Sequence, residues 1–384
     1  MNGGVFAFYQ HMPPLSVAAA MRGGSVTAAL ANRAEREGVR LDVVAAAGKA
    51  QAKGNLSVEI LEGADIDTVA SLPRRLLGEL RLGWLVGRRI RRARPRIVLI
   101  SSPAFLSALV ATFFCRILKI AYVLEVRDVY PQVYAHAGLL RETSWIYRLL
   151  LSASRGMYTR AARIIVVTKG LEDAVRSQAP SAAVHCEYNG FPAALSDKRA
   201  PKHERFTLCF HGALGFFQDV ESLRKLAEAL TDDGVDVVVI GSGRKAELFA
   251  NPPPNLRYLG RMSFEDTIDE VAKCHVGLCL RRQDKISQDA FPIKVWEYLG
   301  LAIRCVVTPV CEAGRFVEDH ACGVQLDAGD VAGLRKAVLL LRDDPAHAQK
   351  LAAAGAQAVA GFTRERIGER IAEIVFSALG EVRR

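Results

Sequence analysis

Short apolar segments alternate with helical segments along the whole chain, and this alternation limits the possible fold more than any other feature. In the first half, apolar segments occur at 5–9, 41–44, 97–102, 122–126 and 164–168, separated by segments of helical periodicity such as 24–38. Strands that are apolar on both faces are typical of parallel sheets covered by helices. We therefore expect an α/β fold built on doubly wound parallel sheets.

A second series of the same kind follows a polar interruption at 189–204. Its predicted strands are 207–211, 235–241, 256–259, 276–280 and 304–308, and its helices include 219–230, 267–273 and 292–299. A chain of 384 residues suits two domains. We expect them at 1–195 and 203–362, with a final helix in 363–384 that packs back toward the first domain. Ligands of such sheets bind beyond the carboxyl ends of strands, so the cleft between the domains is the expected site.

The formal net charge of +10 favours an anionic partner. Nucleic acid, anionic lipid and phosphorylated substrates all have the right sign. The eight cysteines form no Cys-x-x-Cys pair and have no metal-type spacing with histidine, which predicts reduced core thiols in a reducing compartment. The chain does not open with a basic segment followed by a long apolar one, so no secretory leader is expected and a cytoplasmic location is predicted.

The most apolar stretch of the chain is 97–124, but Arg116 and Lys119 interrupt it. It divides naturally into a strand at 97–102, a helix at 104–118 and a strand at 121–126. A buried strand–helix–strand unit therefore fits this stretch better than a membrane-spanning helix.

The segment 74–94 is strongly basic and amphipathic. Its only acid is Glu79, and its arginines are Arg74, Arg75, Arg81, Arg88, Arg89, Arg91, Arg92 and Arg94. Leucines, Trp84 and Ile90 lie between them, a composition that suits the surface of an anionic bilayer. The same pattern also fits a packed helix with a solvated arginine face, and the two interpretations are compatible. Nucleic acid is not expected, because no recognition motif accompanies the arginines.

Two glycine-containing turns follow predicted strands of the second half. Gly212 and Gly215 follow the strand at 207–211, and Gly241 and Gly243 follow the next one. Glycines at this place let backbone N–H groups approach a phosphate. An ordinary tight turn explains them equally well.

The segment 289–297 places two carboxylates eight positions apart around a lysine. Pro292 is suited to open a helix, so Asp289 falls in the loop before it, Lys294 in its first turn and Glu297 beyond that turn. A carboxylate can accept hydrogen bonds from vicinal ribose hydroxyls or from sugar hydroxyls, and a lysine can neutralise a diphosphate. Scattered charges on a surface helix are the alternative.

These segments resemble the family-4 retaining glycosyltransferases, in particular the subgroup that builds surface polysaccharides and lipopolysaccharide. The segment 289–297 is similar to the family's Glu-x7-Glu element with aspartate in first position, and 291–300 to its Phe-Pro-x-Lys-x-x-Glu-Tyr variant. In the first half, 123–131 resembles the Arg-Asp-x-Trp-Pro segment, and Gly24 with the preceding glycine resembles the family's N-terminal glycine-rich loop.

The resemblance implies a GT-B fold, in which two Rossmann-like domains face each other across a cleft. It implies a hexosyltransferase that moves a sugar from a nucleoside-diphosphate sugar to a lipid-linked or glycan acceptor at the cytoplasmic membrane face, with retention, without a metal and without any cofactor. Glu297 would then bind the donor ribose, Asp289 the transferred sugar, and Gly24, Gly212 and Gly215 would lie near the phosphates.

Two departures from the family pattern shift the expected roles. Ala213 and Gln218 stand where many members have an arginine and a lysine, so Lys294, Arg281, Arg282 or the backbone of 212–215 must neutralise the diphosphate. Arg127 stands where many members have a cleft histidine, which makes it, with the next residue, a candidate for the acceptor side.

Several alternatives stay open at this point. Asp128 also fits a helix cap or a turn. Asp65 and Asp67 form an Asp-x-Asp pair, but far from the donor-type segments, so no metal ligand is predicted from them. A nucleotide-sugar epimerase on the same scaffold and a non-catalytic binder of anionic lipid or polyanion remain the competing functions.

Overall fold

The chain divides into two compact units in the computed structural model, which describes residues 4–13, 21–61, 72–102, 104–215 and 217–382, with the side chains of 72 and 73 left out. Unit 1 comprises Met1–Tyr188 and Arg364–Arg384, and unit 2 comprises Asn189–Thr363. Each unit contains one parallel sheet with helices between its strands. The predicted α/β class is therefore confirmed.

The sheet of unit 1 has the strand order β3-β4-β2-β1-β5-β6-β7-β8. Its strands are β1 (Val5–Met12), β2 (Leu41–Gly48), β3 (Gln51–Lys53), β4 (Leu56–Ile60), β5 (Ile97–Ser101), β6 (Ala121–Val126), β7 (Arg163–Val166) and β8 (Val184–Cys186). Among these strands β3 alone pairs antiparallel, in a hairpin with β4. The sequence analysis did not predict this hairpin, because its strands are short and partly exposed, although apolar residues alternate with polar ones in β4.

The helices of unit 1 that precede unit 2 in the chain are α1 (Arg22–Arg36), α2 (Leu72–Ala93), α3 (Phe105–Leu118), α4 (Gln132–His136), α5 (Trp145–Thr159) and α6 (Lys169–Gln178). The stretch 97–124 folds as the predicted strand–helix–strand unit, with β5 fully buried. Within the described ranges, no helix combines the length and the apolar character needed to cross a bilayer.

Glycines let the basic helix α2 pack closely on α3. A Cβ on Gly87 would lie 2.2 Å from the ring of Phe114, and one on Gly83 would lie 2.9 Å from the Cα of Ser107. On the same helix, Leu82 and other apolar residues are fully buried, whereas Arg88 is exposed. Helix α2 therefore has both a packed apolar stripe and a basic face in water.

The sheet of unit 2 has the strand order β11-β10-β9-β12-β13-β14, and every pair in it is parallel. Its strands are β9 (Phe206–His211), β10 (Val235–Ile240), β11 (Leu256–Gly260), β12 (Val276–Leu280), β13 (Arg304–Thr308) and β14 (Gly323–Gln325). Its helices are α7 (Val220–Ala229), α8 (Phe264–Lys273), α9 (Lys285–Gln288), α10 (Ile293–Gly300), α11 (Glu312–Asp319), α12 (Val331–Asp343) and α13 (Pro345–Val359).

Unit 2 begins at Asn189, earlier than the predicted boundary at 195. Phe191 explains the difference, because its buried ring packs closely on Gly300 of unit 2. A Cβ on Gly300 would lie only 2.4 Å from that ring. The backbone of Phe191 also forms a bridge with Thr363. The last helix, α14 (Arg364–Glu381), belongs to unit 1, where it packs on α1.

A glycine in the central strand β12 makes room for a tyrosine of α10. A Cβ on Gly277 would lie 2.3 Å from the ring of Tyr298, which is fully buried. The Tyr298 hydroxyl donates to the carbonyl of Leu278 at 3.2 Å. This contact fixes α10 against the sheet, and α10 carries the two charged residues described below.

We expect Gly277→Ala to lower the free energy of unfolding by about 1–3 kcal/mol, because the added methyl must displace the Tyr298 ring. Gly361→Ala is the matched control, since open space surrounds the place of its Cβ. Urea unfolding followed by circular dichroism measures both. Equal stability of Gly277→Ala and the wild-type protein would contradict the packing argument.

Candidate functional site

Two glycine turns lie against each other at the carboxyl edge of the unit 2 sheet. Gly212 follows β9 with a φ of 116°, and Gly241 and Gly243 follow β10 with φ of 147° and 153°. A Cβ on Gly241 would lie 1.9 Å from the carbonyl oxygen of Gly212, and one on Gly243 would lie 2.4 Å from that of Leu214. Only glycine allows this approach, so both turns have a defined structural reason for their glycines.

Two amides of the first turn are already hydrogen-bonded. The Gly212 N–H donates to the carbonyl of Ile240 at 2.9 Å, and the Leu214 N–H donates to that of Ser242 at 2.9 Å. These two groups therefore join the turns instead of facing outward. Gly215, by contrast, borders open space, since none of the described atoms lies within 4 Å of its Cβ position.

Helix α10 brings Lys294 to this turn. The Lys294 Nζ lies 3.6 Å from the ring centroid of Phe210 and donates to Gln218 Oε1 at 3.4 Å. If Gly212 carried a Cβ, that atom would be 3.6 Å from the Nζ. The Lys294 side chain is buried. A cation over an aromatic face is stabilised by the ring quadrupole. The ammonium group is thus held at the glycine turn by packing and by weak polar contacts.

Burial lowers the pKa of Lys294 to about 8, because water stabilises the charged form better than the protein interior does. Arg281 adds to this lowering by repulsion, and the carboxylate of Glu297 opposes it. The charge of Lys294 therefore titrates close to neutral pH. A bound anion would restore it.

Glu297 lies one turn further along α10, next to the last residue of β9. His211 Nε2 is 3.5 Å from Glu297 Oε2, and both side chains are buried. Burial, and secondarily Lys294, lowers the pKa of His211 to about 3, so the imidazole is neutral and the contact is not an ion pair. The sequence analysis missed His211. Its signal was a polar residue at the end of an apolar strand, before the glycine turn.

Arg281 and Arg282 follow β12, the strand next to β9. The Arg281 Nε donates to Ser287 Oγ at 3.2 Å, and its backbone bridges to Gln218. Arg282 is exposed, and its N–H donates to the carbonyl of Phe217 at 3.1 Å. Both arginines therefore lie at the carboxyl edge of the unit 2 sheet, the edge that Lys294 of α10 approaches.

Asp289 is the C-terminal cap residue of the short helix α9 and is partly exposed. Pro292 is the N-cap of α10, so the structure has the predicted order of loop carboxylate, lysine and glutamate. Lys294 and Glu297 contact the glycine turn or its strand, as described above. Asp289 lies on the loop that leads into the same helix.

In unit 1, Arg127 and Asp128 follow β6. The Arg127 N–H donates to Ser102 Oγ at 3.3 Å. Asp128 is accessible to solvent, yet crowding by protein atoms raises the pKa of its carboxyl, and the charge of Arg127 opposes the rise. The next helix, α4, is capped by Pro131, so Asp128 is not its cap residue.

A buried ion pair at the same edge of unit 1 was not predicted. The Arg22 Nε donates to Glu125 Oε1 at 2.6 Å, and Arg22 also donates to the carbonyl of Tyr188. Burial raises the pKa of Glu125, but the charges of Arg22 and Arg127 outweigh it, so the net pKa is lowered. A glutamate inside an apolar strand was the available signal. Its partner is 103 residues away in sequence.

Gly24 is buried in the first turn of α1. The helix begins at Arg22, earlier than predicted, so Gly24 lies inside the helix and not in a loop before it. A Cβ on Gly23 would lie 3.5 Å from the ring of Tyr9, an ordinary contact distance, so packing does not require a glycine there.

Acidic side chains close together in the sequence can bind a metal ion. Asp65 and Asp67 lie outside the described residues. Asp233 pairs with Arg335 at 2.7 Å, next to a turn at Gly234. Over the part of the chain that the structure describes, no three His, Cys, Asp or Glu side chains are grouped so that they could hold a metal ion.

Both units match family models. Residues 23–190 match the glycosyl transferase 4-like domain, and residues 205–344 match the glycosyl transferases group 1 model. The chain is 24% identical over 237 residues to the probable glycosyltransferase WbjE of Pseudomonas aeruginosa. That match covers 56% of this chain and 58% of WbjE, so the chain spans little more than half the length of this curated relative.

Solved structures with the same fold include the glycosyltransferase WaaG and the protein HepE. WaaG, involved in lipopolysaccharide biosynthesis, has a TM-score of 0.69 at 13% identity and covers 97% of this chain and 99% of its own. HepE of Anabaena in complex with UDP-glucose has a TM-score of 0.66 at 15% identity, with coverage of 97% and 99%. With the two family-model matches and the two parallel-sheet units, these findings show that the chain belongs to the family-4 glycosyltransferases of the GT-B fold.

Proposed function

We propose that the chain transfers a sugar from a nucleoside-diphosphate sugar and binds this donor at the carboxyl edge of the unit 2 sheet. The supporting observation is the buried pair of charged residues on α10, Lys294 and Glu297, held at the end of β9. A cation that is buried without a strong ion pair has a depressed pKa, and such groups concentrate at functional sites.

Each group of the site has a role in donor binding. Glu297 accepts hydrogen bonds from the ribose hydroxyls, as its ionised carboxylate can accept several. Lys294 offsets the charge of the diphosphate, with Arg281 and Arg282 nearby on the same sheet edge. The neighbour HepE has been solved with UDP-glucose, which makes UDP-glucose the first donor to test.

The proposed reaction retains the configuration of the sugar and uses no metal. The acceptor oxygen bonds to the anomeric carbon on the face from which the diphosphate departs, and the bond from that carbon to the diphosphate oxygen breaks. The acceptor proton passes to a diphosphate oxygen. Positive side chains and backbone dipoles stabilise the charge that develops on the leaving group. Asp289 binds hydroxyls of the transferred sugar, and Arg127 and Asp128 act on the acceptor side.

The proposed acceptor is lipid-linked or a growing glycan at the cytoplasmic face of the membrane. The exposed arginines of α2 would hold the enzyme there as a peripheral protein, since each basic residue near an anionic surface contributes about 1 kcal/mol. The neighbour WaaG, described as involved in lipopolysaccharide biosynthesis, is consistent with such an acceptor.

We expect Glu297→Gln to weaken UDP binding by about tenfold or more, because hydrogen bonds to a charged partner are worth about 1.5–3 kcal/mol. Isothermal titration calorimetry measures the affinity. Glu265→Gln, an exposed position on α8, serves as the control with the same change of charge. Wild-type affinity in Glu297→Gln would remove the main support for the donor site.

The epimerase-like alternative is tested by the donor alone. Without any acceptor, a transferase leaves the sugar configuration of its nucleotide-sugar unchanged. Chromatography shows whether UDP-glucose or another nucleotide-sugar is converted into an epimer under these conditions. Such a conversion would favour the alternative.

We expect UDP binding to weaken as pH rises through about 8, because Lys294 in the free protein loses its charge there. The affinity falls by about tenfold per pH unit above that pKa if the charged form alone binds. Calorimetry between about pH 7 and pH 9 measures the profile. Lys294→Met should bind weakly at every pH and show a flat profile; a slope equal to that of the wild type would assign the titration to another group.

We expect the double variant Arg81→Gln, Arg88→Gln to bind anionic vesicles more weakly by about 2 kcal/mol, at about 1 kcal/mol per arginine. Both arginines are exposed on α2. Cosedimentation with vesicles of equal parts phosphatidylcholine and phosphatidylglycerol gives the affinity. Arg261→Gln with Arg315→Gln, two exposed arginines of unit 2, is the control. Equal losses in both variants would show that net charge matters and α2 does not.

A further inference from the structure

A groove of about 370 Å3 runs along the surface of unit 1 between α3 and α5. Its apolar walls include Leu109 and Phe113 on α3 and Leu149 and Ala153 on α5, and Arg116 and Arg160 also line it. Tyr122 contributes to the lining, but its hydroxyl donates to the carbonyl of Met157 at 2.6 Å, so this polar group is satisfied inside the protein. The groove combines an apolar channel with guanidinium groups.

The walls of the groove are exposed to water to an unusual degree. Phe113 is 57% exposed and Leu149 is 59% exposed. Phe113 contacts Phe114 edge-on, with ring centroids 6.5 Å apart, and Phe114 contacts Trp84 of α2 in the same manner at 5.3 Å. Phe114 therefore links Phe113 of the groove wall to the exposed Trp84 of α2. Neighbouring exposed apolar side chains can mark a site of interaction.

The helices around the groove hold a large excess of positive charge. The sequences of α2, α3 and α5 together contain ten arginines and a single acid, Glu79. Glu79 is 1% exposed and accepts the N–H of Leu106 at 3.0 Å, so its carboxylate is turned into the protein. The described side chains of these three helices therefore present positive charge and apolar groups to the solvent, and Glu59 of β4 pairs with one of the ten arginines, Arg89.

An anionic lipid matches this combination better than a protein surface does. Arginine and aromatic residues are also common at protein interfaces, but a protein partner would have to supply an acid for each unmatched arginine. A bilayer that contains anionic lipids offers phosphates at the level of the arginines and hydrocarbon directly below them. Trp145, at the start of α5, is 73% exposed, as expected for a residue at the boundary between headgroups and acyl chains.

We propose that the groove between α3 and α5 binds one acyl chain of an anionic membrane phospholipid, with Arg116 and Arg160 at its phosphate. One guanidinium nitrogen of Arg160 donates to the carbonyl of Gly156 at 2.9 Å, and a guanidinium has further N–H donors for the phosphate. This inference adds a discrete lipid site to the proposed membrane contact of α2, but it can hold without that contact and is independent of the transfer reaction.

Lysophosphatidylglycerol, held below the concentration at which it forms micelles, is the probe, because a monomer can occupy a groove but cannot act as a bilayer. Calorimetry on the full chain should give one site per chain. Leu149→Gln should weaken binding about tenfold, since it removes an apolar side chain from the wall. Arg116→Gln should weaken it by a similar factor. Leu340→Gln is the matched control, as Leu340 is an equally exposed leucine (57%) on α12 of unit 2.

Several results would overturn the proposal. Wild-type affinity in Leu149→Gln would do so, as would equal binding of lysophosphatidylcholine, which lacks the net negative charge. Sedimentation experiments give the oligomeric state. If the wild-type chain is a dimer and Leu149→Gln is a monomer, the groove binds a second copy of the chain instead of a lipid. Urea unfolding of each variant shows that a loss of binding is not a loss of fold.

Vesicle binding separates this proposal from the contact through α2. Lipids with brominated acyl chains quench tryptophan that enters the bilayer, and Trp84 and Trp145 are exposed whereas Trp296 is fully buried. Quenching by anionic vesicles without any binding of the monomeric lysolipid would leave the membrane contact standing and refute the groove. Lysolipid binding without quenching would support the groove and refute the contact.

Discussion

The burial of a lysine ammonium group against a glycine turn is the interaction on which the unit 2 site depends. Burying a charge is costly unless partners replace its hydration. Around Lys294 those partners are the face of Phe210, the amide oxygen of Gln218 and the nearby carboxylate of Glu297. Glycine is required at 212 by its φ of 116°, and a Cβ there would be in ordinary contact with the ammonium group at 3.6 Å. The result is a cation with incomplete compensation, which a bound anion stabilises.

The same principle operates at the carboxyl edge of the unit 1 sheet, with a different outcome. Arg22 and Glu125 are both buried and are directly paired, so each offsets the cost of burying the other. The pair joins the first turn of α1 to the end of β6, and Arg22 also reaches the backbone at Tyr188. Arg127 and Asp128 follow directly after this strand and are accessible to solvent.

Charge is distributed unevenly over the chain, and this separates two surfaces of different chemistry. The excess of arginines in α2, α3 and α5 is almost as large as the net charge of +10 of the whole chain. These helices also expose large apolar side chains. The donor-type groups, in contrast, lie on α10 and at the ends of β9 and β12 in unit 2. The proposed membrane contact and the proposed donor site can therefore be altered independently.

The sequence alone determined the two α/β series, most strand positions, the basic helix and the order of Asp289, Lys294 and Glu297, because these depend on periodicity and on spacing within one segment. The tertiary structure decided the partners: His211 beside Glu297, Arg22 paired with Glu125, and the groove between α3 and α5. It also assigned the residues from Asn189 to unit 2, through the packing of a single phenylalanine. Such contacts join residues far apart in the chain. The sequence around one residue of a pair does not identify the other residue, so local patterns cannot predict the contact.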